Sequence, residues 1–272
     1  MEEKEIIDHK EIVIKATHQI LLEVFKLLEN FHESLILVGG LVPIMIIPEA
    51  ENKHVGTFDV DLVINDKSLD ETGSETIEDV LLANGYKNGA EPGRYFKKID
   101  IDGSHIVVPV DFLVSEQRYI SKNEFFDITG IHAISCPGCE LSFEVNENVP
   151  LDGSLPDGSH YSTVIKSAGV VALIVMKAHA MRIREKTKDA YDIWFCLANY
   201  PGNIESVAKA FKPHAGKASV ITALDLLSEN FKSINARGPM DVIKEDGSVD
   251  PEYRMFLRQD SFQRVQALIN SI

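Results

Sequence analysis

Aspartates stand in two of the most apolar stretches of this chain. One stretch reads Phe58-Asp59-Val60-Asp61-Leu62-Val63-Ile64 and the other Ile106-Val107-Val108-Pro109-Val110-Asp111-Phe112-Leu113-Val114. Runs this short and this rich in β-branched residues form strands rather than helices. Asp59 and Asp61 are two apart, so a strand points both to one face and turns Val60, Leu62 and Ile64 the other way, into a core. A third apolar run, Leu35-Ile36-Leu37-Val38, ends at Gly39-Gly40. A buried strand followed by two glycines lets a backbone come close to a ligand with no Cβ in the way. Carboxylates on neighbouring strands beside such a turn suit a divalent cation that holds phosphate oxygens.

The rest of the first half fits a sheet with flanking helices. Ile12, Ala16, Ile20, Val24, Leu27 and Phe31 recur at helical spacing over 10–31. The segment 41–47 carries Pro43 near its start, as a short helix tolerates. A polar loop follows over 48–57. After the loop that opens at Asn65, a helix over 75–84 stops at Asn84-Gly85. The segments 94–101 and 105–114 form a hairpin across Asp102-Gly103-Ser104. Residues 115–160 mix short strand-like pieces, FFDITGIHAI and LSFEV, with turns. They close in VPLDGSLPDGS, where Pro, Gly, Asp and Ser concentrate as in a linker. Beyond it the pattern is helical over 164–184, 188–199, 203–212, 217–233 and 251–271, with 236–251 as a surface excursion. A mixed sheet followed by helices predicts an α+β protein. The expected division is a catalytic sheet domain over 1–158 and a helical domain over 159–272 that closes a nucleotide cleft.

Charge supports two parts with different tasks. Residues 1–160 carry 12 basic against 30 acidic side chains, and residues 161–272 carry 15 against 12. The acidic part is a poor general binder of nucleic acid, because phosphate neutralisation needs Lys and Arg. A basic cluster runs from Lys177 through Arg182, Arg184 and Lys186 to Lys188; on its own it reads as a solvated helix face. No apolar run reaches the roughly 18 residues of a membrane span. The opening MEEKEIIDHKE is acidic and polar, unlike a signal peptide. Three cysteines fit a reducing compartment, and the expected location is cytoplasmic. His132, Cys136 and Cys139 do not make a zinc site, since structural zinc takes four ligands and no second cysteine pair exists. Pro137-Gly138 reads as a turn.

Taken in order, Gly39-Gly40, Asp59-x-Asp61 with apolar neighbours, and Asp111 resemble the polymerase-beta-like nucleotidyltransferase superfamily. Thr57, closely preceding the acidic pair, is similar to one branch. In the second half, Lys177 lies on one helix, and Lys188-Asp189-x-x-Asp192 opens the next. This looks like the AbiEii-type nucleotidyltransferases, toxin components of bacterial abortive-infection and toxin–antitoxin systems. Those members often carry Arg where Lys188 stands. The resemblance covers roughly residues 35–64, 106–114 and 170–197. It implies Mg²⁺ or Mn²⁺ held by Asp59, Asp61 and Asp111. It implies a nucleoside triphosphate bound by Gly39, Gly40, Thr57, Lys177, Asp189 and Asp192. It also implies an RNA or protein acceptor hydroxyl and an antitoxin partner, with no membrane.

The residues alone leave other readings open. Asp111 would complete a second metal site or take the acceptor proton. Thr187 would cap the helix that holds Asp189 in its first turn. Lys177–Asp189 or Arg184–Asp189 ion pairs would instead tie two helices together. The acceptor could be a small cation of the aminoglycoside kind, or the chain a nucleotide-binding module without catalysis.

Overall fold

β1 (Leu35–Val38) is apolar and buried throughout, as a strand with neighbours on both sides must be. In the computed structural model, which describes residues 2–50, 53–65, 76–101, 103–115 and 130–272, β1 lies inside a mixed sheet of eight strands. The others are β2 (Val60–Ile64), β3 (Lys87–Asn88), β4 (Arg94–Ile101), β5 (Ser104–Val114), β6 (Ile134–Ser135), β7 (Asn146–Ser154) and β8 (His160–Ala168). Their order is β3-β4-β5-β2-β1-β8-β7, with β6 also beside β5. β1 runs antiparallel to β2 and parallel to β8, and β2 runs parallel to β5. The expected hairpin is present: β5 pairs antiparallel with the whole length of β4, although Asp102 in its turn lies outside the described residues. α1 (Glu2–Leu27) buries Ala16, Ile20, Leu21, Val24 and Phe25. α3, named in chain order after the short α2 (Val42–Ile46), spans Ile77–Ala83. Thr76 caps it in a reciprocal box with Asp79.

The protein is α+β, and its chain divides into two units that interleave in sequence. The first comprises 1–41, 56–136 and 146–167; the second comprises 42–55, 137–145 and 168–272. The second unit is helical: α4 (Val170–Ile183), α5 (Thr187–Asn199), α6 (Asn203–Phe211), α7 (Ala218–Asn230), α8 (Arg237–Asp246) and α9 (Pro251–Ser271). α4 is buried without a break from Val170 to His179, so it is the central helix of its unit rather than an amphipathic one. Trp194 is buried and donates from Nε1 to Asp260, 2.8 Å away.

Three sequence expectations need correction. The segment VPLDGSLPDGS is not a linker but the end of β7 and the turn into β8. Leu155 N donates to Ser159 O at 2.8 Å, and Asp157 accepts from Ser159 N at 2.8 Å. Pro, Asp and Gly close a turn between paired strands as readily as they separate domains. The helix expected from residue 164 therefore starts at Val170, after a strand that reaches Ala168. Second, LSFEV is not a strand: Cys139–Phe143 form a 3₁₀ turn entered from left-handed Gly138 (φ 81). Third, the excursion 236–251 contains α8. Pro239 sits in the first turn, where its missing N–H costs nothing, and left-handed Gly247 ends the helix. Half of FFDITGIHAI (125–129) and most of the loop beginning at Asn65 lie outside the described residues, as do residues 51–52 of the polar loop. Among the described residues no helix is long and apolar enough to cross a membrane.

Candidate functional site

The first unit assembles a row of charged side chains across three strands. Register sets it: Val38 lies opposite Asp61, Asp61 opposite Asp111, and Asp111 opposite Arg94. Asp61, Asp111 and Arg94 thus share one sheet face on β2, β5 and β4. Val60, Leu62 and Ile64 are buried, as the alternation requires.

Gly39 explains why the turn after β1 is glycine. Its φ is +73°, and a Cβ there would stand 1.9 Å from Asp61 Oδ2. The space a side chain would take is the space the Asp61 carboxylate uses. Gly40 is buried next to it in the short 3₁₀ turn Gly39–Leu41. Asp59 stands just before β2, where buried Thr57 donates from Oγ1 to its Oδ1 at 2.6 Å.

Asp111 is 4% exposed, and both of its oxygens are engaged. Arg94 Nε donates to Oδ1 at 2.7 Å and Nη2 to Oδ2 at 2.6 Å, the paired fork of a guanidinium on a carboxylate. The remaining nitrogen, Nη1, lies 2.8 Å from Glu91 Oε2. The Asp111 hydrogen bonds raise the Arg94 pKa above its ordinary value, with further help from Glu91 and Asp59. Among the described residues no three of His, Cys, Asp and Glu converge as a ready ligand set. The donors at Asp59 and Asp61 are nonetheless of the type a hard cation takes, since Mg²⁺ uses one or two carboxylates and fills its other positions with water and phosphate.

The second unit holds a buried ion cluster on α4 and α5. Lys177 is 6% exposed, and its Nζ lies 3.1 Å from Asp189 Oδ1 and 2.6 Å from Asp192 Oδ2. Arg184 grips Asp189 with Nε at 2.8 Å and Nη2 at 2.7 Å. Lys188 reaches Asp192 Oδ1 at 3.0 Å, and His54 Nε2 meets the same oxygen at 2.9 Å. The His54 ring also packs edge-on to Phe195, 4.8 Å between centroids.

Both ion pairs considered as helix ties, Lys177–Asp189 and Arg184–Asp189, are therefore present. The basic run is not uniformly solvated: Arg182 and Lys186 are exposed, whereas Lys177 is buried. Thr187 is not the cap of α5. It is the first helical residue, and its hydroxyl bonds to Glu245.

Burial and partners compete within this cluster. Burial alone would lower the Lys177 pKa, but Asp192 and Asp189 outweigh it and hold the ammonium above its ordinary value. Burial opposes ionisation of Asp192, yet Lys177, Lys188 and the His54 hydrogen bond pull it far below the usual carboxylate range. Asp189 is lowered against burial by Arg184 and Lys177. His54 goes down because burial, with Lys188 and Lys177 nearby, exceeds the pull of Asp192.

Arg94 and His54 are the residues that the motif reading missed. Arg94 had a signal: the hairpin turn places Ile101 opposite Ser104, and counting back along both strands reaches Arg94 opposite Asp111. His54 had none, as it meets Asp192 across 138 residues of sequence. No family model matches the chain, and no curated protein sequence matches it.

Proposed function

We propose that this chain is a metal-dependent nucleotidyltransferase. It would transfer a nucleotidyl group from a nucleoside triphosphate to an acceptor hydroxyl on RNA or protein. The observation that carries the reading is the seat of Asp61: its carboxylate fills the space over left-handed Gly39, with Asp111 in register on the next strand. A strand that ends in a glycine turn against a carboxylate on its neighbour combines a phosphate approach with a ligand for the cation that phosphate needs. The nucleotidyltransferase arrangement of the sheet belongs to the same proposal.

In this reaction the acceptor oxygen attacks the α-phosphorus and the bond to pyrophosphate breaks. Bound Mg²⁺ or Mn²⁺ would supply charge neutralisation at the phosphate oxygens. Asp59 and Asp61 would hold it, with Thr57 fixing the Asp59 rotamer through its 2.6 Å hydrogen bond. By the resemblance, Gly39 and Gly40 would line the triphosphate, with the Asp61 carboxylate seated over Gly39. Lys177, Asp189 and Asp192 enter through the resemblance as nucleotide contacts. Their mutual ion pairs support a second task, fixing α4 to α5. A toxin role with an antitoxin partner rests on the sequence resemblance, and a cytoplasmic location on the three cysteines.

The test is labelling. The full chain is incubated with Mg²⁺, each α-labelled nucleoside triphosphate in turn, and cell extract. One nucleotide is expected to label an RNA or protein band, and Asp61→Asn to remove the label. Equal labelling by Asp61→Asn would overturn the assignment.

A further inference from the structure

Two-cation nucleotidyl transfer would require Asp111 to turn an oxygen toward the second ion. Here both Asp111 oxygens accept from one guanidinium, at 2.7 and 2.6 Å, and the carboxylate is buried against solvent. Arg94 is not a passing surface partner. It lies directly opposite Asp111 in the β4–β5 ladder, so paired backbone fixes the distance between the two side chains. Its Nη1 is tied to Glu91 at 2.8 Å, which gives each nitrogen of the guanidinium a carboxylate to face. Arginine does not lose its proton in proteins, so this positive charge is permanent. A divalent ion arriving at Asp111 would meet a cation already in hydrogen-bond contact with both candidate ligand atoms, and like charges at such distances repel strongly.

We infer that the Arg94 guanidinium, forked onto Asp111 beside Asp61, takes the place of a second divalent cation, so that this site holds a single metal ion at Asp59 and Asp61. The inference rests on the nucleotidyltransferase reading and deepens it. Asp111 is then a positioning residue that anchors Arg94, not a metal ligand and not the base. Arg94 supplies a fixed positive charge near the phosphates without depending on the concentration of metal in solution. Lysine would not replace it, because a single ammonium cannot occupy both oxygens in a plane.

The experiment counts ions. The full chain is dialysed to equilibrium against Mn²⁺ and a non-hydrolysable nucleoside triphosphate analogue, and retained metal and nucleotide are both measured. The wild type is expected to retain one ion per bound nucleotide. Arg94→Ala, which bares Asp111, is expected to retain two, and Arg94→Ala with Asp111→Asn to return to one. Two ions per nucleotide in the wild type, or no gain in Arg94→Ala, overturns the inference while leaving the nucleotidyltransferase reading intact. Retention of neither metal nor nucleotide by the wild type overturns both. Should Arg94→Ala fail to fold by circular dichroism, Asp111→Asn decides alone. One ion retained with affinity within about twofold of wild type supports the substitution of arginine for metal, and loss of an ion refutes it.

Discussion

The acidic row on the sheet and the ion cluster on α4 and α5 use the same chemical groups to opposite ends. On the sheet, the permanent cation Arg94 is forked onto Asp111, and Asp61 and Asp59 stand on the neighbouring strand and at its entry. In the helical unit, Asp189 and Asp192 face Lys177, Arg184 and Lys188, which leaves one positive charge among these five. The helical carboxylates are fully buried and carry their counter-ions within the chain. The sheet carboxylates Asp59 and Asp61 are only half-buried. A buried carboxylate balanced from inside contributes mainly to holding the fold. A partly open pair of carboxylates offers oxygen ligands to a hard cation.

Mutation should separate the two regions, and the largest effect is expected in the helical one. Asp192→Ala leaves buried Lys177 and half-buried Lys188 with a partner missing, so urea denaturation should show a loss of about 3–5 kcal/mol. On the sheet, Asp61→Asn should leave the urea midpoint nearly unchanged and cut labelling on the order of 10²–10³-fold, the scale of removing one electrostatic contact in a reacting site. A large stability loss from Asp61→Asn, or a negligible one from Asp192→Ala, would erase the contrast.

Gly39→Ala joins both readouts. The left-handed backbone costs an alanine about 1–2 kcal/mol, and the new Cβ would collide with Asp61 Oδ2. Thermal melting should fall modestly while labelling falls nearly as far as in Asp61→Asn.

The smallest expected effect is the pH dependence that the helical cluster adds to that of other groups, half-buried His18 of the first unit among them. Asp189 and Asp192 are lowered in the fold, so their stabilisation is complete above about pH 4 and lost as the pH drops below it. His54 is also lowered, because burial keeps it neutral. The unfolded chain then takes up a proton that the folded chain does not, and stability starts to fall as the pH drops through about 6.5. His54→Asn should flatten the urea midpoint between pH 7 and 5, by less than about 1.4 kcal/mol, the value of a tenfold change in proton affinity.

Sequence made β1, the Gly39 turn, β2, the β4–β5 hairpin and most helices legible. Each is encoded locally by period, turn chemistry or an apolar run. It did not reveal what Asp61 does to Gly39, because that glycine's constraint comes from the neighbouring strand rather than from a ligand. The segment around Gly153-Ser154 was misread because turn residues carry no information about whether the flanking segments pair. The helical cluster was half legible: Lys177, Arg184, Asp189 and Asp192 lie close in sequence on two helices, but His54 arrives from a loop far upstream, and no local pattern marks it.

The interleaving of the two units bears on what can be cut from this chain. The path passes between them five times, at 41–42, 55–56, 136–137, 145–146 and 167–168. A fragment starting at residue 168 keeps α4 to α9 but lacks 42–55, and with it the histidine that meets Asp192. A fragment ending at residue 167 carries the sheet except for Ala168, the last residue of β8, together with two stretches orphaned from the helical unit. No single truncation separates the two: a cut at 167–168 leaves the first unit carrying 42–55 and 137–145, and leaves the second without them.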